Sequence, residues 1–313
     1  MEANFSEVSI AVPWGHIAGR WYGSQDERPI LALHGWLDNC GTFTKLAPLL
    51  APHHSLLCID YPGHGRSSHL PPGVMYHTME FVRIIGRIMQ AYKWKKVSLM
   101  GHSMGASVAF KFASLYPERV DMVISLDALK SFYWTPSLLV PFFEHLTEMA
   151  IKDNERLMSP YPSQPASFSF KQLEYLIHEG SMKSIDLDKC KYILERNVAN
   201  SKLYPHKYYF SRDQRARNII QLNATMEMAL EMAKRICRTS MPYIVIKGGE
   251  SDNSNACATE LDDFMMRHNT NFEQHVYAQG THHMHLNNAP PVAEIIIEFL
   301  HKHKGCNMTS SKM

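Results

Sequence analysis

Lys96-Val97-Ser98-Leu99-Met100-Gly101-His102-Ser103-Met104-Gly105 is the stretch that decides the fold of this chain. A short apolar run stops at Gly101, a serine follows two residues later, and Ala106–Tyr116 carries apolar residues at helical spacing. G-x-S-x-G between a strand and a helix has the form of a nucleophile elbow. Its demand is steric. A serine in a strained strand-to-helix turn needs neighbours without bulk, and Gly101 and Gly105 supply them. Such a turn exposes the Ser103 hydroxyl at the carboxyl edge of a sheet. It also leaves the Met104 N–H at a helix start, with no intrahelical partner.

Similar runs lie on either side. Pro29–Leu33 ends at His34-Gly35, Ser55–Asp60 at Pro62-Gly63, and Met122–Leu126 at Asp127. Strands apolar on both faces, alternating with amphipathic stretches such as Thr78–Tyr92, imply a parallel sheet covered on both sides. Two alternating segments, 5–12 and 16–22, precede them. No strand-like run is visible from about residue 131 to 238, a Met-rich stretch of helical character. Alternation then resumes with Tyr243–Lys247, a helix over Thr259–Arg267, Phe272–Tyr277 and a helix over Val292–His303. The expected organisation is an α/β core from 1–130 and 239–304, a helical insert over 131–238, and an exposed tail over 305–313.

A serine hydroxyl needs an adjacent general base, itself oriented by a carboxylate. The order expected on this fold is serine, acid, histidine. The base is sought in Gly280-Thr281-His282-His283-Met284-His285-Leu286; His282, directly after the Gly-Thr turn, is preferred over His283. The acid is placed at Asp252 in Gly248-Gly249-Glu250-Ser251-Asp252, with Asp127 and then Glu250 as alternatives. Two N–H donors are needed where a tetrahedral oxygen gains charge, and the amides of Met104 and Trp36 are nominated. Asp60–Ser68 contains G-x-G without a third glycine, and no G-K-[ST] occurs, so it reads as a structural turn. Three histidines within 282–285 lack matching Cys or carboxylate spacing, so neither a metal nor a cofactor is expected.

The 313 residues are 45% hydrophobic and 20% charged, with a formal charge of +2. That balance excludes a disordered chain and gives no electrostatic reason to bind nucleic acid. The six scattered cysteines are expected to be free thiols. The acidic start lacks the apolar run of a signal peptide, and no membrane-spanning run occurs. The tripeptide Ser311-Lys312-Met313 is close to the peroxisomal address S-K-L, so an import receptor is an expected partner and the expected location is peroxisome or cytoplasm.

Together, the His34-Gly35-Trp36 loop, the D-x-x-G-x-G-x-S turn at Asp60, the elbow, G-x-x-D at Gly249 and the terminal H-x-x-H-L resemble the α/β-hydrolase superfamily. His34–Asn39, Ser125-Leu126-Asp127 and Tyr209–Arg215 look more narrowly like the serine hydrolase-like, Kraken-type family. The resemblance implies a mostly parallel eight-stranded sheet flanked by helices, with a helical cap between strands 6 and 7. It implies Ser103 as nucleophile, His282 as base, and Trp36 and Met104 as oxyanion donors. Fold relatives that hydrolyse epoxides or dehalogenate use aspartate at the elbow, and Ser103 argues against both. The expected activity is hydrolysis of an ester or related acyl bond in a small, mainly apolar substrate. The alternative is a binding or sensing protein with vestigial chemistry. Arg212-Asp213-Gln214-Arg215 is expected to be a salt-bridged cap turn.

Overall fold

The structure is a computed structural model that describes residues 5–129, 136–159, 165–219, 225–251 and 259–303. Asp252 and Ser311-Lys312-Met313 therefore lie outside the described residues.

Among the described residues, ten strands occur in chain order: β1 (Phe5–Val12), β2 (Gly15–Tyr22), β3 (Ile30–Leu33), β4 (Leu56–Ile59), β5 (Val97–His102), β6 (Val120–Leu126), β7 (Val198–Asn200), β8 (Tyr208–Phe210), β9 (Tyr243–Gly248) and β10 (Phe272–Tyr277). Eight form one sheet in the order β1-β2-β4-β3-β5-β6-β9-β10. The β1–β2 and β2–β4 pairings are antiparallel and the rest parallel. The mostly parallel eight-stranded sheet is thus present, with the insert entering after β6.

Side-chain alternation along the strands builds two cores. Leu31, Leu33, Leu57, Leu99 and Val123 face one side, packing with Phe81, Ile85, Ala109 and Ala233. Ile30, Ala32, Leu56, Met100 and Ile124 face the other, with Leu50, Val292 and Ile296. Burying one such aliphatic side chain contributes about 1.5–3 kcal/mol, so the central strands are fixed from both faces.

The insert differs from expectation in one respect. β7 and β8 form a small antiparallel hairpin among helices Pro136–Met158, Phe170–Gly180, Cys190–Asn197 and Met226–Cys237. Three-residue strands are too short to show a two-residue period, so the sequence pattern hid them.

Two polar anchors, alongside the Arg20–Glu195 ion pair, hold the insert to the core. Arg196, from helix Cys190–Asn197, gives Asp60 two hydrogen bonds of 2.8 and 3.0 Å, with both side chains fully buried. Its third nitrogen reaches Glu7 at 2.6 Å. Asp60 also accepts the Cys40 and Arg66 N–H groups, at 2.8 and 2.9 Å. Burial pushes the Asp60 carboxyl up, but Arg196 and these N–H bonds outweigh it and hold the group below its usual value. The second anchor is Asp213. It accepts the Tyr76 hydroxyl at 2.9 Å and pairs with Arg215, whose guanidinium also reaches the Leu70, Pro71 and Val74 carbonyls. The 212–215 segment is accordingly a salt-bridged turn of the insert.

Removing one partner of a buried pair strands the other charge, at a cost of about 3–5 kcal/mol. Arg196→Met is therefore expected to lower the urea unfolding free energy by that amount at pH 7. Asp60 has a depressed folded value, so its contribution is present above the unfolded carboxylate pKa and lost as pH falls through the folded one. The difference between wild type and Arg196→Met should shrink below about pH 4; an unchanged difference there would contradict the pairing.

Candidate active site

Ser103 joins β5 to helix Met104–Leu115 with φ 52° and ψ −114°, a conformation that L residues adopt at a cost of order 1–3 kcal/mol. Its N–H is held by the Leu126 carbonyl at 3.1 Å. A Cβ on Gly101 would stand 2.4 Å from the Ala106 nitrogen, and one on Gly105 would stand 2.1 Å from the Leu33 carbonyl oxygen. Both glycines are required by closeness of backbone. They let the helix start against β3 and β5 with Met104, its first residue, at the exposed end of its hydrogen-bond ladder.

The His34-Gly35-Trp36 loop packs directly on this turn. A Cβ on Gly35 would meet the Ser103 Cβ at 3.4 Å and His102 Nδ1 at 3.1 Å. His34 fixes the loop. Its Nε2 accepts the Tyr61 N–H at 3.0 Å, so Nδ1 carries the proton and donates to the Gly35 carbonyl at 2.7 Å. Burial lowers the His34 pKa to about 4 and keeps the ring neutral. The Trp36 ring is half exposed, and its Nε1 donates to the insert at the Ala216 carbonyl, 3.2 Å away.

Asp127, at the end of β6, also has a positive φ of 54°. Its N–H bonds the Ile246 carbonyl at 2.8 Å, and its Oδ1 accepts the Gly248 N–H at 2.8 Å. Oδ2 accepts the Ser251 hydroxyl and the His282 Nδ1–H, each at 2.5 Å. The carboxylate placed on His282 is therefore Asp127, the alternative acid of the sequence reading, and Ser251 supports it. Asp252, the preferred acid, lies outside the described residues, and Glu250 makes no described contact with His282.

The base loop is fixed by its own polar contacts. Thr281 donates its hydroxyl to the Ser184 carbonyl at 2.9 Å, and Asn287 donates to that carbonyl at 2.8 Å and to the Thr281 hydroxyl at 3.0 Å. His102, the elbow residue before Ser103, donates from Nε2 to the His282 carbonyl at 2.8 Å, and their ring centroids are 4.6 Å apart. Serine turn, carboxylate and imidazole thus meet at one edge of the sheet.

Sequence reasoning missed what lies behind this edge. His102, His282, His283 and His285 form a cluster of mutually tilted imidazoles with His102 at its centre, its ring centroid 4.3–4.7 Å from the others. Burial, and then the neighbouring rings, lower His102, His283 and His285 well below the ordinary value. Asp38 is buried alongside, its carboxyl raised to about 7 by burial. The run His34–Asn39 carried Asp38 in plain view; nothing in its spacing says that it reaches residues 102 and 283.

A family model described as alpha/beta hydrolase fold matches residues 28–248. A probable serine hydrolase of Drosophila melanogaster is 34% identical, covering 96% of this chain and 88% of the relative. Serine hydrolase-like protein 2 of Homo sapiens is 33% identical, covering 94% of each. Among solved structures, a hypothetical protein from Pseudomonas aeruginosa PAO1 superposes with a TM-score of 0.80 at 23% identity, covering 94% of this chain and 99% of its own. A thioesterase domain from the curacin biosynthetic pathway gives 0.74 at 21% identity, covering 94% and 99%. These two likenesses concern the fold.

The buried neutral histidines set an acid limit. Unfolded imidazoles take up protons near pH 6.5, whereas His34 resists until about 4 and His64, also buried, until about 3. Stability is present above pH 6.5 and is lost as pH falls through that window, by about 1.4 kcal/mol per pH unit per group. Asp38 acts oppositely, because its raised value favours the folded state as pH drops below about 7. The buried, lowered histidines His34, His64, His102, His283 and His285 outweigh the raised carboxyls of Asp38 and Asp121, so urea unfolding should show a loss of at least about 3 kcal/mol between pH 7 and pH 5. A flat or rising profile would show that these rings are not buried neutral.

Proposed function

The chain belongs to the α/β-hydrolase family, and we propose that it is a serine hydrolase cleaving an ester or related acyl bond of a small, mainly apolar molecule. The observation that carries this reading is the 2.5 Å bond from His282 Nδ1 to Asp127 beside the elbow serine. Asp127 holds the imidazole in the tautomer whose Nε2 is basic. Nε2 takes the hydroxyl proton as Ser103 Oγ bonds the acyl carbon and the carbonyl electron pair moves onto oxygen. The Trp36 and Met104 N–H groups receive that oxyanion. Collapse of the tetrahedral species expels the alcohol, which takes the proton from His282. Water then attacks the acyl-serine by the same route, releasing the acid and restoring Ser103.

Support for an apolar substrate comes from the exposed Trp36 ring, carried by the loop that packs on the Ser103 turn. Apolar walls with few polar groups are the usual make-up of a small-molecule site. The polar pair Asn287-Asn288 beside the histidines has structural duties. Asn287 braces the base loop, and Asn288 bonds the Tyr277 hydroxyl at 2.6 Å.

A fluorophosphonate probe is expected to label the wild type and not Ser103→Ala. Turnover of short p-nitrophenyl esters should fall by roughly 10⁴-fold in Asp127→Asn, the loss that follows when an orienting carboxylate is neutralised. Asp252→Asn should change it by less than about tenfold. The reverse ranking would return the acid role to Asp252, and equal labelling of Ser103→Ala would remove the nucleophile.

A further inference from the structure

Behind the elbow, one donor atom from each of Asp38, His102 and His283 lies within 4.8 Å of the other two, and all three residues are buried. Each side chain is tied to the scaffold on its outer side. His102 Nε2 donates to the His282 carbonyl, so Nδ1 is the ring's remaining nitrogen. His283 Nδ1 meets the Ser184 hydroxyl at 2.8 Å, leaving Nε2. Asp38 Oδ1 accepts the Asn39 N–H at 2.7 Å, leaving Oδ2. Among the described residues, His102 Nδ1 and Asp38 Oδ2 have no hydrogen-bond partner, although each residue is at least 95% buried. A buried donor or acceptor without a partner costs about 1–3 kcal/mol.

We propose that these three side chains form a site for a divalent first-row transition metal, and that its occupation inhibits the enzyme. One carboxylate and two neutral imidazoles are a donor set that suits Zn²⁺ or Co²⁺. The outer contacts match what metal-binding histidines need, a partner on the second nitrogen that fixes tautomer and ring plane. Metal–ligand bonds of about 2.0–2.1 Å require donors somewhat closer than they stand, so the three side chains draw inward on binding. The pull on His102 is transmitted to the His282 carbonyl, and the dication lies behind the imidazole that must accept a proton. Metal therefore opposes the base without touching Ser103. The inhibitory half rests on the hydrolase reading; the binding half does not.

Binding is tested on full-length Ser103→Ala, which needs no activity. Titration with Co²⁺ is expected to give one equivalent with visible ligand-field bands, displaced by Zn²⁺. Adding Asp38→Asn together with His283→Gln should weaken Co²⁺ binding by more than about 100-fold, beyond the loss of an outer-shell partner. His283→Gln alone serves if the double replacement does not melt cooperatively. Bands that persist unchanged in the folded variants would overturn the site, as would their absence before substitution. In parallel, Zn²⁺ should lower p-nitrophenyl ester turnover at least tenfold in Ser103-intact protein and EDTA should restore it. Inhibition equal in His283→Gln, normalised to its own metal-free rate, would place the effect elsewhere.

Discussion

The backbone at residue 103 is forced into a left-handed conformation by the meeting of a fully buried strand and a helix that starts without a spacer. The loops at this edge of the sheet are arranged around that constraint. Gly105 lets the helix pass close to the Leu33 carbonyl, Gly101 lets it close on β5, and the Leu126 carbonyl fixes the serine N–H. β3 lies between β4 and β5 in the sheet, so the loop that follows it is delivered beside the serine by topology. The strain of a few kcal/mol is small against two cores that hold the central strands from both faces.

A second left-handed residue, Asp127, ends the next strand. Its backbone and side chain together bind β9 and the residues after it, through the Ile246 carbonyl, the Gly248 N–H and the Ser251 hydroxyl. The carboxylate that meets His282 is thus part of the seam between β6 and β9. His102 performs the same double duty on the other side, bracing the base loop while belonging to the elbow. Positioning of the imidazole is distributed over two adjacent strands and one loop, which leaves little freedom in its ring plane.

The sheet was legible because its central strands are continuous apolar runs ended by glycine or aspartate, a pattern independent of the rest of the chain. The strained turn at Ser103 was legible for a related reason: it sits in a local motif with a steric signature. The choice between Asp127 and Asp252 was not. Only sheet order, with β6 next to β9, brings the Asp127 carboxylate to the His282 ring, and Asp252 lies outside the described residues. Asp38 was further out of reach, because its placement depends on loop packing across three segments. The short hairpin of β7 and β8 carries too few residues for any periodicity.

The anchors of the insert are unevenly spread. Helix Cys190–Asn197 is locked through Arg196, and the 213–216 turn through Asp213, Arg215 and the Trp36 ring. Helix Pro136–Met158 instead presents Val140, Ile151 and Met158 to solvent. Substrate range in such a molecule is separable from its architecture. Under the proposed hydrolase reading, laboratory evolution toward bulkier substrates has most latitude at the exposed positions Val140, Ile151 and Met158, whereas Leu146 and Asp153 on the same helix are buried, and Asp153 accepts from Asn218 beside the Arg215 anchor.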